Sequence, residues 1–188
     1  MTRTLIVYGS ANGQTRKIVD RVAARLRDTG VQCSIVKGDA LPPDLRPGDY
    51  DGFIVAGSVR FGRHQQYLES FVRQYHELLT NHPSMFLSVC GAASRDTPEG
   101  ETLASKYRID FLKRATWAPR LAHSLGGGVP YTQYGFFTRQ MMRVINRATG
   151  GPVDTSRDWE FTDWETVDRL AREFLLVLDG KVPLAVTV

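Results

Sequence analysis

Five short apolar runs punctuate the chain, at Thr4–Tyr8, Gln32–Lys37, Gly52–Gly57, Met85–Cys90 and Leu121–Leu125. Runs of this length suit strands of a parallel sheet covered on both faces. Between them apolar residues recur at helical spacing: Val19, Val22, Ala23 and Leu26, then Tyr67, Phe71, Tyr75 and Leu78, then Leu103, Tyr107, Phe111 and Ala115. Gly30 stands where a left-handed residue would end the first helix. A last helix is predicted from about Asp163 to Leu178, opened by the capping box Thr162-x-x-Glu165 and closed by Gly180. Pro42, Pro43 and Pro47 leave little room for helix in the second crossover. The alternation predicts an α/β fold, a doubly wound five-stranded parallel sheet. It is interrupted from 126 to about 159 by a long insertion after or within the fifth strand. A connection of roughly 30 residues inside a compact domain usually carries function or structure of its own.

The 188 residues fit a single domain, 1–188, with a full core. Hydrophobic residues make up 42% and charged residues 23%, which excludes wholesale disorder. No apolar run approaches the ~18 residues that span a bilayer. A strand-like segment begins almost at once, without the apolar stretch of a secretion signal. The expectation is a cytoplasmic protein that visits the inner face of the cell membrane peripherally. Cys33 and Cys90 lack metal-ligand spacing and suit unpaired thiols in a reducing compartment. The net charge is +4, but the basic residues are dispersed rather than interleaved with aromatics on one reading element. No nucleic-acid partner is therefore expected.

The first apolar run delivers Gly9-Ser10-Ala11-Asn12-Gly13-Gln14-Thr15 into a helix. A helix's first N–H groups lack intrahelical acceptors, and its dipole adds about half a positive charge there, so a phosphate fits without a lysine. A nucleoside-triphosphate loop needs a lysine that this loop lacks, and Gly9 and Gly13 are wrongly spaced for a dinucleotide loop. A phospho-receiver domain needs carboxylates at the ends of the first and third strands, where this chain has Tyr8 and Gly57-Ser58. What remains suits a terminal phosphate monoester held without metal, with Ser10 and Thr15 donating beside backbone N–H groups. In sheets of order 2-1-3-4-5 such a site points to flavin mononucleotide, FMN. Ser10 to Thr15 resembles the flavodoxin phosphate motif Ser/Thr-x-Thr-Gly-x-Thr, with Asn12 in place of the middle threonine.

The third and fourth runs also end in small residues, Gly57-Ser58-Val59-Arg60-Phe61-Gly62 and Ser88-Val89-Cys90-Gly91-Ala92-Ala93-Ser94. Such residues let backbone groups approach the edge of a flat ring, and Phe61 suits packing on its face. The candidate cofactor residues are Ser10, Ala11, Asn12, Gly13, Gln14 and Thr15, with Ser58, Val59, Arg60, Phe61 and Gly62, and with Cys90, Gly91, Ala92 and Ala93.

Five segments together carry a more specific resemblance. They are Gly13-Gln14-Thr15-Arg16, Ser58-Val59-Arg60-Phe61-Gly62, Phe86-x-Ser88-Val89, Gly150-Gly151-x-x-Asp154-Thr155 and Phe161-Thr162-Asp163-Trp164-Glu165. From the first strand to about Phe174 the chain resembles the flavodoxin-type protoporphyrinogen oxidases of bacteria, also called menaquinone-dependent protoporphyrinogen dehydrogenases. The last two segments are not shared by flavodoxins at large. The resemblance implies a bound FMN that takes electrons from protoporphyrinogen IX and passes them to a membrane quinone. Three two-electron steps would yield protoporphyrin IX, the penultimate product of haem synthesis. The flavin carries the redox chemistry, so no catalytic acid or base is assigned.

A second reading is a soluble flavodoxin-like electron carrier serving a protein partner, and a third is a flavin-free interaction module. Shuttling flavodoxins are typically acidic, whereas this basic chain suits an anionic substrate or membrane. Arg60, Arg63 and His64 would lie where they meet the substrate's two propionates or the reduced ring. In the insertion Phe137, Met141, Val144, Ile145 and Ala148 fall on one helical face, and Arg139, Arg143 and Arg147 form a ridge on another. That helix suits an anionic bilayer surface, its own domain, or a twin subunit in a homo-oligomer. Tyr131, Tyr134, Phe136 and Phe137 are available to line a porphyrin or quinone pocket. His76, His82, His123, Trp117, Trp159 and Trp164 are read as packing or surface residues.

Overall fold

The apolar runs pair into one sheet in a computed structural model that describes residues 1–148 and 151–181. Strands β1 (Arg3–Gly9), β2 (Gln32–Lys37), β3 (Gly52–Ser58), β4 (Ser84–Cys90) and β5 (Leu121–Gly126) are all parallel, in the order β2-β1-β3-β4-β5. Helices α1 (Gln14–Arg27), α2 (Gln66–Gln74), α3 (His76–Asn81), α4 (Pro98–Ala115), α5 (Phe136–Ala148) and α6 (Trp164–Leu178) complete the chain. Alternate strand residues serve opposite layers. Ile6, Ile54, Met85 and Leu87 pack on Ile18, Val22 and Leu26 of α1 and on Leu170 and Phe174 of α6. Leu5, Val7, Phe53, Val55 and Phe86 pack on Leu68 and Phe71 of α2 and on Phe111 of α4. The central strands are thus covered twice, which is why their sequences do not alternate.

Three sequence expectations are corrected. The helix expected through Tyr67–Leu78 is two helices, because Tyr75 leaves helical geometry (φ −111°, ψ 26°). Its spacing hid the break, since Leu79 of α3 still reaches the core of α2. The last helix is capped by Asp163, whose carboxylate accepts from the Glu165 and Thr166 amides. The expected capping residue, Thr162, instead donates its hydroxyl to the Gly126 carbonyl at 2.8 Å. Finally, Arg139 does not join an exposed ridge with Arg143 and Arg147. Its guanidinium folds back on the carbonyls of Tyr131 and Tyr134, both at 3.0 Å.

The segment after β5 has structure of its own. Strands β6 (Gly128–Val129) and β7 (Trp159–Glu160) pair antiparallel, with α5 between them in the chain. Tyr131 anchors the segment, fully buried, its hydroxyl donating to the Pro152 carbonyl and accepting from Asn146, both at 2.7 Å. The Ala148 side chain and Gly150, both named in the sequence reading, lie outside the described residues, as does 182–188 of the tail. Among the described residues Cys33 and Cys90 are free, no acid, histidine or cysteine cluster suits a metal, and no helix is long and apolar enough to cross a membrane.

Candidate flavin site

Strand order reverses between β1 and β3, so the loops leaving their carboxyl ends open a crevice. The loop after β1 closes on itself, with Ser10 Oγ accepting from the Gly13 amide at 2.9 Å. Gly13 then enters α1 at φ +85°, a left-handed conformation that glycine takes without strain. The first helical hydrogen bond runs from Lys17 N–H to the Gly13 carbonyl, leaving the preceding amides without helical acceptors. Thr15, in this first turn, is fully buried, and its Oγ1 has no hydrogen-bond partner. The nearby cations are committed elsewhere: Arg16 to Asp20 and Lys17 to Glu160. These backbone and hydroxyl groups form a cradle that suits a phosphate.

Two cradle residues also reach the segment after β5. Asn12 Nδ2 donates to the Tyr134 hydroxyl at 2.9 Å, and Gln14 Nε2 donates to Thr162 Oγ1 at 2.8 Å. Thr162 in turn holds Gly126, where a Cβ would fall 2.3 Å from the Phe161 carbonyl. The Phe161–Glu165 segment therefore fastens the chain's return to the cradle.

The other two loops face this crevice. Ser58 Oγ accepts from the Ala11 amide at 3.1 Å and from Gln65 Nε2 at 2.7 Å, joining the second loop to the first. Arg60 and Arg63 exchange backbone hydrogen bonds around Phe61 (φ 50°) and Gly62 (φ 78°). A positive φ is strained for phenylalanine, and the turn holds its ring 76% exposed with the Arg60 guanidinium 5.3 Å from its centre. The third loop is fastened at Val89, whose carbonyl accepts from the Val59 amide. Cys90 is buried there, and burial pushes its thiol pKa up, keeping it protonated.

A cavity of about 330 Å³ joins these loops. It is lined by Ser10, Ala11, Asn12, Gln14, Thr15, Ser58, Val59, Arg60, Phe61, Gly62, Cys90, Gly91 and Ala92. Gly13 shapes the cradle without lining the cavity, and Ala93 lines a neighbouring one. Residues outside the predicted cofactor set also line it, among them Leu103 and Tyr107 of α4 and Thr138, Met141, Met142, Ile145 and Asn146 of α5, together with Tyr134, which the sequence offered for a porphyrin or quinone pocket. The helical spacing of the insertion marked an amphipathic helix but not which side would meet the domain. Among the described residues no carboxylate lines the cavity, whereas Arg60 and Arg95 do.

His64 departs from expectation. It is only 5% exposed, edge-on to Phe86 and Phe111, with Nε2 3.0 Å from Ser88 Oγ. Burial, with Arg114 nearby, lowers its pKa to about 3, so the ring is neutral and meets no propionate. It supports the second loop from beneath.

The chain matches the flavodoxin-domain family over residues 5–156. It is 30% identical to a protein of Escherichia coli K12 named protoporphyrinogen IX dehydrogenase (quinone), over 94% of this chain and 97% of that one. It is equally identical to a Leishmania major protein of the same name, over 98% of this chain and 77% of the relative. This chain belongs to the protoporphyrinogen IX dehydrogenase family of flavodoxins. Solved structures show the same fold: flavodoxin 1 of Bacillus cereus superposes with a TM-score of 0.56 at 17% identity, covering 93% of this chain and 97% of that one. Rubredoxin:oxygen oxidoreductase of Desulfovibrio gigas gives 0.55 at 15% identity, over 95% of this chain and 36% of that one.

The flavodoxin cofactor is FMN, and the residues fit it. The unpartnered, buried Thr15 hydroxyl and the free amides of α1 suit its phosphate. Side chains no larger than alanine at Gly91 and Ala92, facing the Ser58–Gly62 turn, leave room for the edge of its ring.

Proposed function

We propose that this protein is an FMN-dependent oxidoreductase that oxidises protoporphyrinogen IX and delivers the electrons to a quinone at a membrane surface. The observation that carries this reading is the roof that α5 lays over the flavin cavity. A carrier serving a protein partner needs an accessible ring edge, whereas Met141, Met142 and Ile145 give this cavity an apolar cover. Such a cover suits a large apolar substrate. The cationic Arg60 and Arg95 suit that substrate's propionates, and the relatives' name supplies the substrate and acceptor.

FMN supplies the two-electron redox chemistry when bound. The first-turn amides of α1 and Thr15 would hold its phosphate, the second and third loops would take its ring edge, and α5 would lie over the pocket. The Cys90 thiol stays protonated, so no thiolate competes as a nucleophile beside the ring.

The outer side of α5 supports the membrane part. Phe136, Phe137 and Val144 are 69%, 87% and 68% exposed, and Arg143 and Arg147 beside them are exposed too. An apolar stripe bordered by arginines lies in an anionic interface, each cation near the surface adding about 1 kcal/mol. Met141 and Ile145 belong both to the cavity wall and to this exposed stripe, which supports entry of a lipid-borne substrate from that side.

The two half-reactions test the function. Under anaerobic conditions, protoporphyrinogen IX should bleach the flavin band of the loaded protein, and menadione should then restore it. A band that porphyrinogen leaves unchanged, but that a reduced partner protein bleaches, would instead identify an electron carrier.

A further inference from the structure

A second cavity, of about 550 Å³, adjoins the flavin cavity. Its walls are Ala93 and the segment from Arg95 to Pro98, the α4 residues Glu101, Ala104, Ser105 and Arg108, and His123 and Ser124 of the edge strand β5. Arg108 is half-buried, and one of its guanidinium nitrogens donates to Ser124 Oγ at 3.1 Å. The Ser124 hydroxyl in turn donates to the Ala104 carbonyl at 3.3 Å. The carboxylates of this cavity, Asp96 and Glu101, are exposed, and none of the described residues forms an ion pair with Arg108. A guanidinium has five N–H donors, so most of its hydrogen-bonding capacity is unspent. Burial without a counter-charge lowers the Arg108 pKa, although an arginine stays protonated.

The rest of the lining sharpens the charge pattern. Arg95 is also half-buried, whereas the carboxylates Asp96 and Glu101 are exposed. His123 is turned toward Glu173 at 3.6 Å, and burial lowers its pKa. The half-buried formal charges of this cavity are therefore both positive. Arg95 lines this cavity and the flavin cavity alike, and neighbouring α4 residues divide between them: Leu103 and Tyr107 to the flavin side, Ala104 and Arg108 to the other.

We propose that Arg108, supported by Ser124 and joined by Arg95, is a carboxylate-binding site that takes one propionate of the tetrapyrrole whose ring lies against the flavin. This rests on the function proposed above. Arginine is suited to the role because its planar fork meets a carboxylate with two parallel hydrogen bonds. A half-buried cation without a counter-charge is costly, and an anionic ligand offsets that cost. The site fixes the orientation of the substrate, with one acid arm past α4 and the macrocycle beneath α5.

The test is a fluorescence titration of FMN-loaded protein with protoporphyrin IX and with its dimethyl ester, which lacks the free carboxylates. Arg108→Gln should weaken binding of the diacid by about tenfold, the factor for one lost charge-assisted hydrogen bond, and should leave the diester unchanged. Arg95→Gln, at the junction of the cavities, should weaken the diacid in the same selective way. It serves as the second probe if Arg108→Gln lowers the thermal midpoint or the flavin content. Equal diacid affinity in wild type and both variants overturns the proposal, and so does an equal loss for diacid and diester. Inorganic phosphate is the third probe. If it raises the wild-type thermal midpoint through Arg108 while diacid affinity is unaffected by the substitution, the site serves free anions and the proposal fails. Turnover of protoporphyrinogen by wild type separates the two claims. Without turnover, but with Arg108-dependent diacid binding, the functional reading falls and the carboxylate site stands.

Discussion

At Gly13 a Cβ would meet no atom within 4 Å, yet the backbone stands at φ +85°. A substitution there acts through backbone strain rather than a clash, and strain of this kind costs about 1–3 kcal/mol. Gly13→Val should therefore weaken FMN binding about tenfold, read by flavin fluorescence. Lys17→Ala should change it little, since that ammonium is paired with Glu160; equal flavin affinity in all three proteins would contradict the cradle. Arg60 lines the same cavity, and removing its positive charge as Arg60→Ala should move the flavin potential to more negative values. An unchanged potential would set Arg60 apart from the ring. His64 gives a pH signature. Its folded pKa of about 3 lies below the ordinary 6.5, so over that window the unfolded chain binds a proton that the fold refuses. Its contribution to stability is complete above that window and is lost as pH falls from about 6.5 toward 3. His64→Gln should flatten this part of a urea-midpoint profile, and parallel slopes would exclude the assignment. The sequence made the loop residues legible because their small size and hydroxyls are local properties. It did not make Asn12–Tyr134 legible, because the partners stand 122 positions apart.

Among the elements, strands and helices were readable wherever a face met the core, and unreadable where a single side chain decided an end. Asp163 and Thr162 are adjacent hydroxyl- or carboxyl-bearing residues, and either could cap a helix on sequence grounds. Tertiary contact decides between them, because Thr162 is drawn to Gly126 and Gln14. Helix α5 shows the same limit. Its period was plain, but Arg139 turns inward to two carbonyls and the apolar face divides between cavity and surface. Tyr134→Phe removes the acceptor for Asn12 and should loosen the segment that leads into α5. FMN should then dissociate severalfold faster, as measured by displacement with excess apoflavodoxin, with the thermal midpoint of the apoprotein little changed. Unaltered dissociation would mean that the roof is held by packing alone.

For the whole molecule, the doubly wound sheet followed from the alternation of runs and the reversal at β1, and the cofactor followed from three loops at neighbouring strand ends. The second arginine-lined cavity was not legible, because it joins α4 to a sheet edge and no local motif marks it. The outer stripe of α5 adds a prediction at this scale. Vesicles containing anionic lipid should float the protein, and Phe137→Ser with Val144→Ser should release it; flotation equal for wild type and double variant would place the stripe elsewhere. The central claim is that the α5-roofed flavin site oxidises a porphyrinogen. The most direct measurement is the rate of porphyrin fluorescence after anaerobic mixing of FMN-loaded protein with protoporphyrinogen IX and menadione. The account predicts a rise that scales with protein concentration and requires the quinone, since one bound FMN accepts only two of the six electrons that porphyrin formation releases. A rise no faster than in protein-free controls, with FMN still bound, would contradict it.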